Sequence, residues 1–117
     1  MDQNPKKYDL EDRTYKFALT VALYCKKLPR NISNIEYVKQ VIRSSGSPAA
    51  NYIEANESLS KKDFIMRIKI CRKEAKETTL WLKLIINTNP SQFFAEGNKL
   101  IGEADELKKI FSSILNK

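Results

Sequence analysis

The sequence predicts an all-α protein, an antiparallel up-down-up-down four-helix bundle, on three observations. Four helix-length stretches carry apolar residues at alternating spacings of three and four. Short polar breaks separate them, so that consecutive helices run antiparallel. No stretch shows strand alternation over a useful length, and no hairpin dipeptide such as Asn-Gly occurs. A chain of 117 residues is one domain's worth, expected over 1–117 with a flexible tail at 1–7. At this size roughly 65% of the unfolded surface is buried on folding, enough for a core without staples.

The first helix is expected from about Asp9 to Lys27, with Leu10, Thr14, Phe17, Val21, Tyr24 and Leu28 on one stripe. Asp9 suits the N-cap, and Glu11 and Asp12 suit the positive end of the helix dipole. Lys26, Lys27 and Pro29 close the helix. The second begins near Ser33 or Asn34, both competent caps, with Ile35, Val38, Ile42, Ser45, Ala49, Ile53 and Asn56 on its stripe. Gly46 and Pro48 interrupt it. A proline inside a helix removes one hydrogen bond and crowds the preceding turn, at about 3 kcal/mol. Either the helix continues with a kink, or it restarts with Ser47 as N-cap and Pro48 in the first helical position.

The third helix has the clearest pattern. Ser60-Lys61-Lys62-Asp63 resembles a capping box with Asp in place of Glu. Phe64, Ile68, Cys71, Ala75, Thr78, Leu82 and Ile85 follow at helical spacing, and Asn87-Thr88-Asn89-Pro90 ends the run. The fourth spans roughly Ser91 to Asn116, with Phe93, Gly97, Leu100, Ala104, Leu107, Phe111 and Ile114 in a seven-residue repeat. Gly97 and Gly102 weaken its early turns, each by about 1 kcal/mol relative to alanine.

Composition narrows the chemistry. Hydrophobic residues make up 42% and charged residues 30%, the balance of a globular chain. The absence of histidine removes Ser-His-Asp and Cys-His nucleophiles, His-containing zinc sites and the Glu-x-x-His iron set. Cys25 and Cys71, with no CxxC spacing, are expected to be buried reduced thiols. No apolar run approaches the ~20 residues of a membrane span, and the polar opening Met1–Lys7 lacks a signal peptide's apolar region. The expected compartment is the cytoplasm, with no membrane partner.

Net charge is +7, from 21 Lys+Arg against 14 Asp+Glu, which favours anionic partners: nucleic acid first, an acidic protein or membrane surface next. On a helical wheel, Lys62, Lys69, Lys73, Lys76 and Lys83 fall within an arc of about 80° opposite the apolar stripe of helix three. The strip reads either as a solvated face or as a track for phosphates. No aromatic residue interleaves with the lysines, so a platform for base stacking is missing. Met66, Ile70 and Trp81 widen the apolar arc on one flank. Core packing accounts for them, but Met and Trp are also typical interface anchors, and a subunit interface is preferred.

Arg43, Ser47, Asn51 and Glu54 line one face of helix two, either as ordinary polar surface or as partners for another helix or subunit. Glu54 with Glu57, or Glu74 with Glu77, lie one turn apart and could hold a metal, and oxygen-only ligands without histidine suit Mg²⁺ or Mn²⁺ better than iron or zinc. Solubility pairing with nearby Arg72, Lys73 and Lys76 explains Glu74 and Glu77 more cheaply. No metal, cofactor or catalytic residue is expected. With three glycines, the chain holds no Gly-rich phosphate loop.

Three motifs carry a resemblance. The run from Arg43 to Ala55, the segment from Lys62-Asp63-Phe64 through Cys71-Arg72-Lys73-Glu74-Ala75-Lys76-Glu77-Thr78 to Trp81-Leu82, and the tail from Glu103 through Ile114 resemble the bacterial four-helix bundle proteins of the 23S rRNA intervening-sequence family. The likeness covers about residues 8 to 117. It implies a basic bundle assembling into homopentameric rings. A similar fold and ring occur in the accessory protein of diversity-generating retroelements, which binds nucleic acid and a reverse transcriptase. The resemblance also implies one continuous second helix across Pro48, and it places Arg43, Asn51, Glu54, Arg72 and Glu77 on signature positions of a polar network between helices or subunits.

Two functional expectations result. The first is a non-enzymatic ring-forming protein that binds RNA or DNA, RNA preferred, through phosphate contacts. The second is a protein-interaction scaffold, or an accessory subunit for an acidic or polymerase-type partner.

Overall fold

The computed structural model describes residues 5–117, with side chains from Asp9 onward. Four helices follow in order: α1 (Pro5–Lys26), α2 (Ile32–Asn56), α3 (Lys61–Thr88) and α4 (Phe94–Leu115), the last entered through a 3₁₀ turn at Ser91–Phe93. No strand occurs among the described residues. The helices form an all-α bundle in which α2 and α4 pack most extensively on α3, and α1 against α4 is the loosest seam. At ~1.5 Å per residue α3 is ~42 Å long, which accounts for the 45 Å long axis of the molecule.

The ends of the helices depart from the sequence reading in instructive ways. Pro5 takes the first helical position of α1, where its missing N–H is not needed. Asp9 therefore lies inside the helix and is not its cap. Of the tail expected at 1–7, residues 1–4 lie outside the described residues, while 5–7 belong to α1. Helix α2 is capped by Asn31, whose side chain accepts from the Asn34 amide at 2.9 Å, so neither Ser33 nor Asn34 is the cap. Asn34 is instead buried. Its Nδ2 donates to the Asn89 Oδ1 at 2.7 Å, and the Asn89 Nδ2 returns a bond to the Asn34 Oδ1 at 2.9 Å. This amide pair fastens the start of α2 to the end of α3. Ser60 caps α3 as expected, accepting from the Asp63 amide at 3.1 Å.

The core runs through Phe17, Val21, Tyr24, Val41, Ile68, Leu82, Ile85, Leu107 and Phe111. The stripes expected on α1, α3 and α4 face it. On α2 only part of the expected stripe does, with Ser45 buried and Val38 packed against the core. The buried residues of α2 are Asn34, Val41, Ser44, Ser45, Pro48, Tyr52 and Ala55, a face rotated by about 90° from the expected one. Ile42 and Ile53 are left 41% and 51% exposed. Small side chains on α2 let the two backbones approach, and the buried polar ones are satisfied: the Thr78 hydroxyl donates to the Ser44 Oγ at 2.9 Å. Helix α2 is continuous through Pro48, as the resemblance implies.

Cys25 and Cys71 are free and buried. Burial pushes the Cys25 thiol up to about 11, and the Cys71 thiol and Tyr24 hydroxyl up to about 12. An acid whose folded pKa is raised keeps its proton after the unfolded chain has lost its own. Unfolding is then favoured as pH climbs, here from about 9 to about 12, and below that window these groups add no slope. Thermal unfolding should therefore be insensitive to them at pH 7 and fall in midpoint above pH 9. A thiol-alkylating reagent at pH 8 should leave both cysteines unmodified in the native protein and label both after denaturation.

Candidate nucleic-acid interface

Helix α3 positions its lysines because its inward face is fully committed. Ile68, Cys71, Ala75, Thr78, Leu82 and Ile85 are buried against the other helices, which turns residues half a helical repeat away toward water. Lys62, Lys69, Lys73, Lys76 and Lys83 are all exposed, and none makes an ion pair among the described residues. The strip spans ~31 Å along a straight helix. Leu80, 50% exposed, lies within it, and Met66, 45% exposed, lies on its edge.

The acids of α3 point elsewhere. The Arg43 guanidinium reaches across from α2, its Nη1 on the Glu74 Oε1 at 3.0 Å and its Nη2 on the Glu77 Oε2 at 2.5 Å. The Trp81 Nε1 donates to the same Glu77 oxygen at 3.2 Å. About two turns further, the Arg67 Nη1 donates to the Asn51 Oδ1 at 2.9 Å, while the Asn51 Nδ2 donates to the Ser47 hydroxyl at 2.9 Å. The structure thus joins Arg43 and Glu77 in one cluster and Ser47 and Asn51 in another. Glu54 and Arg72 have no side-chain partner among the described residues.

Two residues of these clusters, Glu74 and Arg67, lie outside the polar-network positions expected from sequence. In place of the expected solubility pairing with Arg72, Lys73 and Lys76, Glu74 has a side chain only 9% exposed and bound to Arg43. The missed signal is hairpin register. Helices α2 and α3 are antiparallel around a turn at 57–60, so residues equidistant from that turn meet, as Arg43 with Glu74 and Asn51 with Arg67 do.

Other apolar side chains are exposed outside α3, among them Ile42 and Ile53 on α2. Tyr15, Leu19 and Leu23, spaced by four, form an exposed ridge on the outer side of α1. Of the flank expected at an interface, Met66 is exposed, while Ile70 and Trp81 are half-buried. Trp81 packs on Tyr37 with ring centroids 6.4 Å apart. Between α1 and α4 a groove of about 670 Å³ is crossed by Arg13, which grips Glu103 with two bonds of 2.7 and 2.9 Å. The described residues hold no cluster of three or more metal-ligating side chains. No helix among them is long and apolar enough to cross a membrane.

Comparison with known proteins gives a consistent picture. The family model described as 23S rRNA-intervening sequence protein matches residues 6–113. The structure is similar to the crystal structure of a protein of unknown function from the S23 ribosomal protein family of Bacteroides thetaiotaomicron VPI-5482. That likeness has a TM-score of 0.78 and 29% identity, and covers 96% of this chain and 99% of the other. No curated protein matches the chain.

Proposed function

We propose that this chain, which belongs to the 23S rRNA-intervening sequence protein family, is a non-enzymatic, basic, ring-forming protein that binds nucleic acid, RNA preferred, through phosphate contacts. The observation that carries the reading is the row of five exposed lysines on α3 with no carboxylate partner among the described residues. Without interleaved aromatics the contact is to the backbone, which gives affinity with little sequence selectivity. Titration of a labelled, structured RNA between 50 and 200 mM salt tests it. Four phosphates engaged by such a row predict a log–log slope of about −4 on a duplex. Absence of binding at the lowest salt would reject the reading.

A homopentamer is the assembly we favour. A ring built head to tail needs two different patches on each subunit. The ridge Tyr15, Leu19 and Leu23 on α1 and the flank Met66 and Ile70 on α3 supply two, on helices that share no substantial contact within the bundle. Light scattering should return five times the 13.5 kDa chain mass, and a monomer would dismiss the ring. The α1 ridge also favours the second reading, a scaffold for an acidic or polymerase-type protein. That reading gains if RNA fails to bind while such a partner stays bound after nuclease treatment.

A further inference from the structure

We infer that Arg43 is a positioning residue for the lysine row: it draws Glu77 away from Lys73 and so keeps a phosphate-contacting cation free. The inference rests on the nucleic-acid reading above and adds to it a residue that touches no ligand.

Residues three or four apart on a helix are neighbours. The basic residue at that spacing from Glu77 is Lys73, and Glu74 has none. Left alone, Glu77 would sit beside Lys73 and neutralise the middle of the row. The structure shows it turned the other way. Its Oε2 accepts from the Arg43 Nη2 at 2.5 Å and from the Trp81 Nε1 at 3.2 Å, both on the side of α3 that faces α2. Arg43 also holds Glu74, so one guanidinium occupies both carboxylates of the segment that carries Lys69, Lys73 and Lys76. A planar fork of donors does this where an ammonium would not. The Lys73-before-Glu77 order is also the weaker arrangement of an i, i+4 pair, which eases the diversion.

The test is a cycle of variants read by RNA titration at about 100 mM salt and by the side-chain ammonium spectrum of ¹⁵N-lysine-labelled protein without RNA. Arg43→Ala should weaken binding about three- to ten-fold, the loss of most of one phosphate contact, and should turn the Lys73 ammonium from free to paired. Adding Glu77→Gln should restore both readouts. Adding Glu74→Gln restores the same net charge but should restore neither, which separates position from overall charge. Should Arg43→Ala fail to fold by circular dichroism, Arg43→Gln carries the same comparison. An unchanged Lys73 signal in Arg43→Ala, or equal rescue by the two glutamines, would overturn the inference. If wild-type protein binds no RNA, the nucleic-acid reading falls, and the ammonium spectrum still decides the role of Arg43.

Discussion

Gly97→Ala is expected to destabilise the protein by about 2 kcal/mol, although alanine is the better helix former by about 1 kcal/mol. Gly97 is buried where α4 passes α1 and α3. A Cβ there would collide with the Ile86 Cγ2 and stand 2.5 Å from the Tyr24 Oη. Neither neighbour has room. Ile86 is 7% exposed, and Tyr24 is fully buried with its hydroxyl donating to the Phe93 carbonyl at 2.9 Å. Relief of the clash strains the core by ~1–3 kcal/mol or breaks a buried hydrogen bond of similar cost, which outweighs the propensity gain. The thermal midpoint should fall by about 10 °C. Gly102, where an added Cβ meets nothing within 4 Å, provides the contrast. Gly102→Ala should raise the midpoint slightly, and a Gly97→Ala protein as stable as wild type would show that α4 shifts freely at this crossing.

Replacing Lys69, Lys73 and Lys76 together by glutamate should cut RNA affinity by about 10²–10³-fold at 100 mM salt. Each phosphate contact on a duplex contributes a slope of about 0.9, so three lost contacts at tenth-molar salt amount to nearly three decades. The same variant should flatten the salt dependence by almost three units. All three side chains are exposed and unpaired among the described residues, so unfolding temperature and helix content should stay near wild type. A parallel reversal of Lys16, exposed on α1 and already bound to Asp12 at 2.9 Å, should have a small effect. A loss from the Lys16 reversal equal to a third of the triple variant's, on a logarithmic scale, would mean that net charge, and not the α3 row, attracts the RNA.

The sequence made three of the four core stripes legible because large apolar residues mark them. The α1, α3 and α4 stripes, with Phe17, Ile68 and Phe111 at their centres, are buried as expected. Helix α2 hides its core face because that face is built largely from small and polar residues while its isoleucines Ile42 and Ile53 stay exposed. Hydrophobicity marks a core face only where the neighbour is distant enough to need filling, and here α3 lies close against Ser44 and Pro48. Glycine offered a similar trap. Its propensity cost is visible at Gly97, but the crowding that requires it depends on Tyr24 and Ile86, which arrive from other helices. The lysines could be placed on one arc from spacing alone. What their carboxylate neighbours do could not, since Arg43 reaches Glu74 and Glu77 from an element 31 residues away.

The loose seam between α1 and α4 divides the molecule mechanically. Helices α2, α3 and α4 share the extensive contacts, so α1 is the part with least to lose by peeling back. The cationic row is mounted on the innermost member of the firm trio. Opening of α1 would leave the spacing of that row undisturbed, because none of its lysines is carried by the first helix.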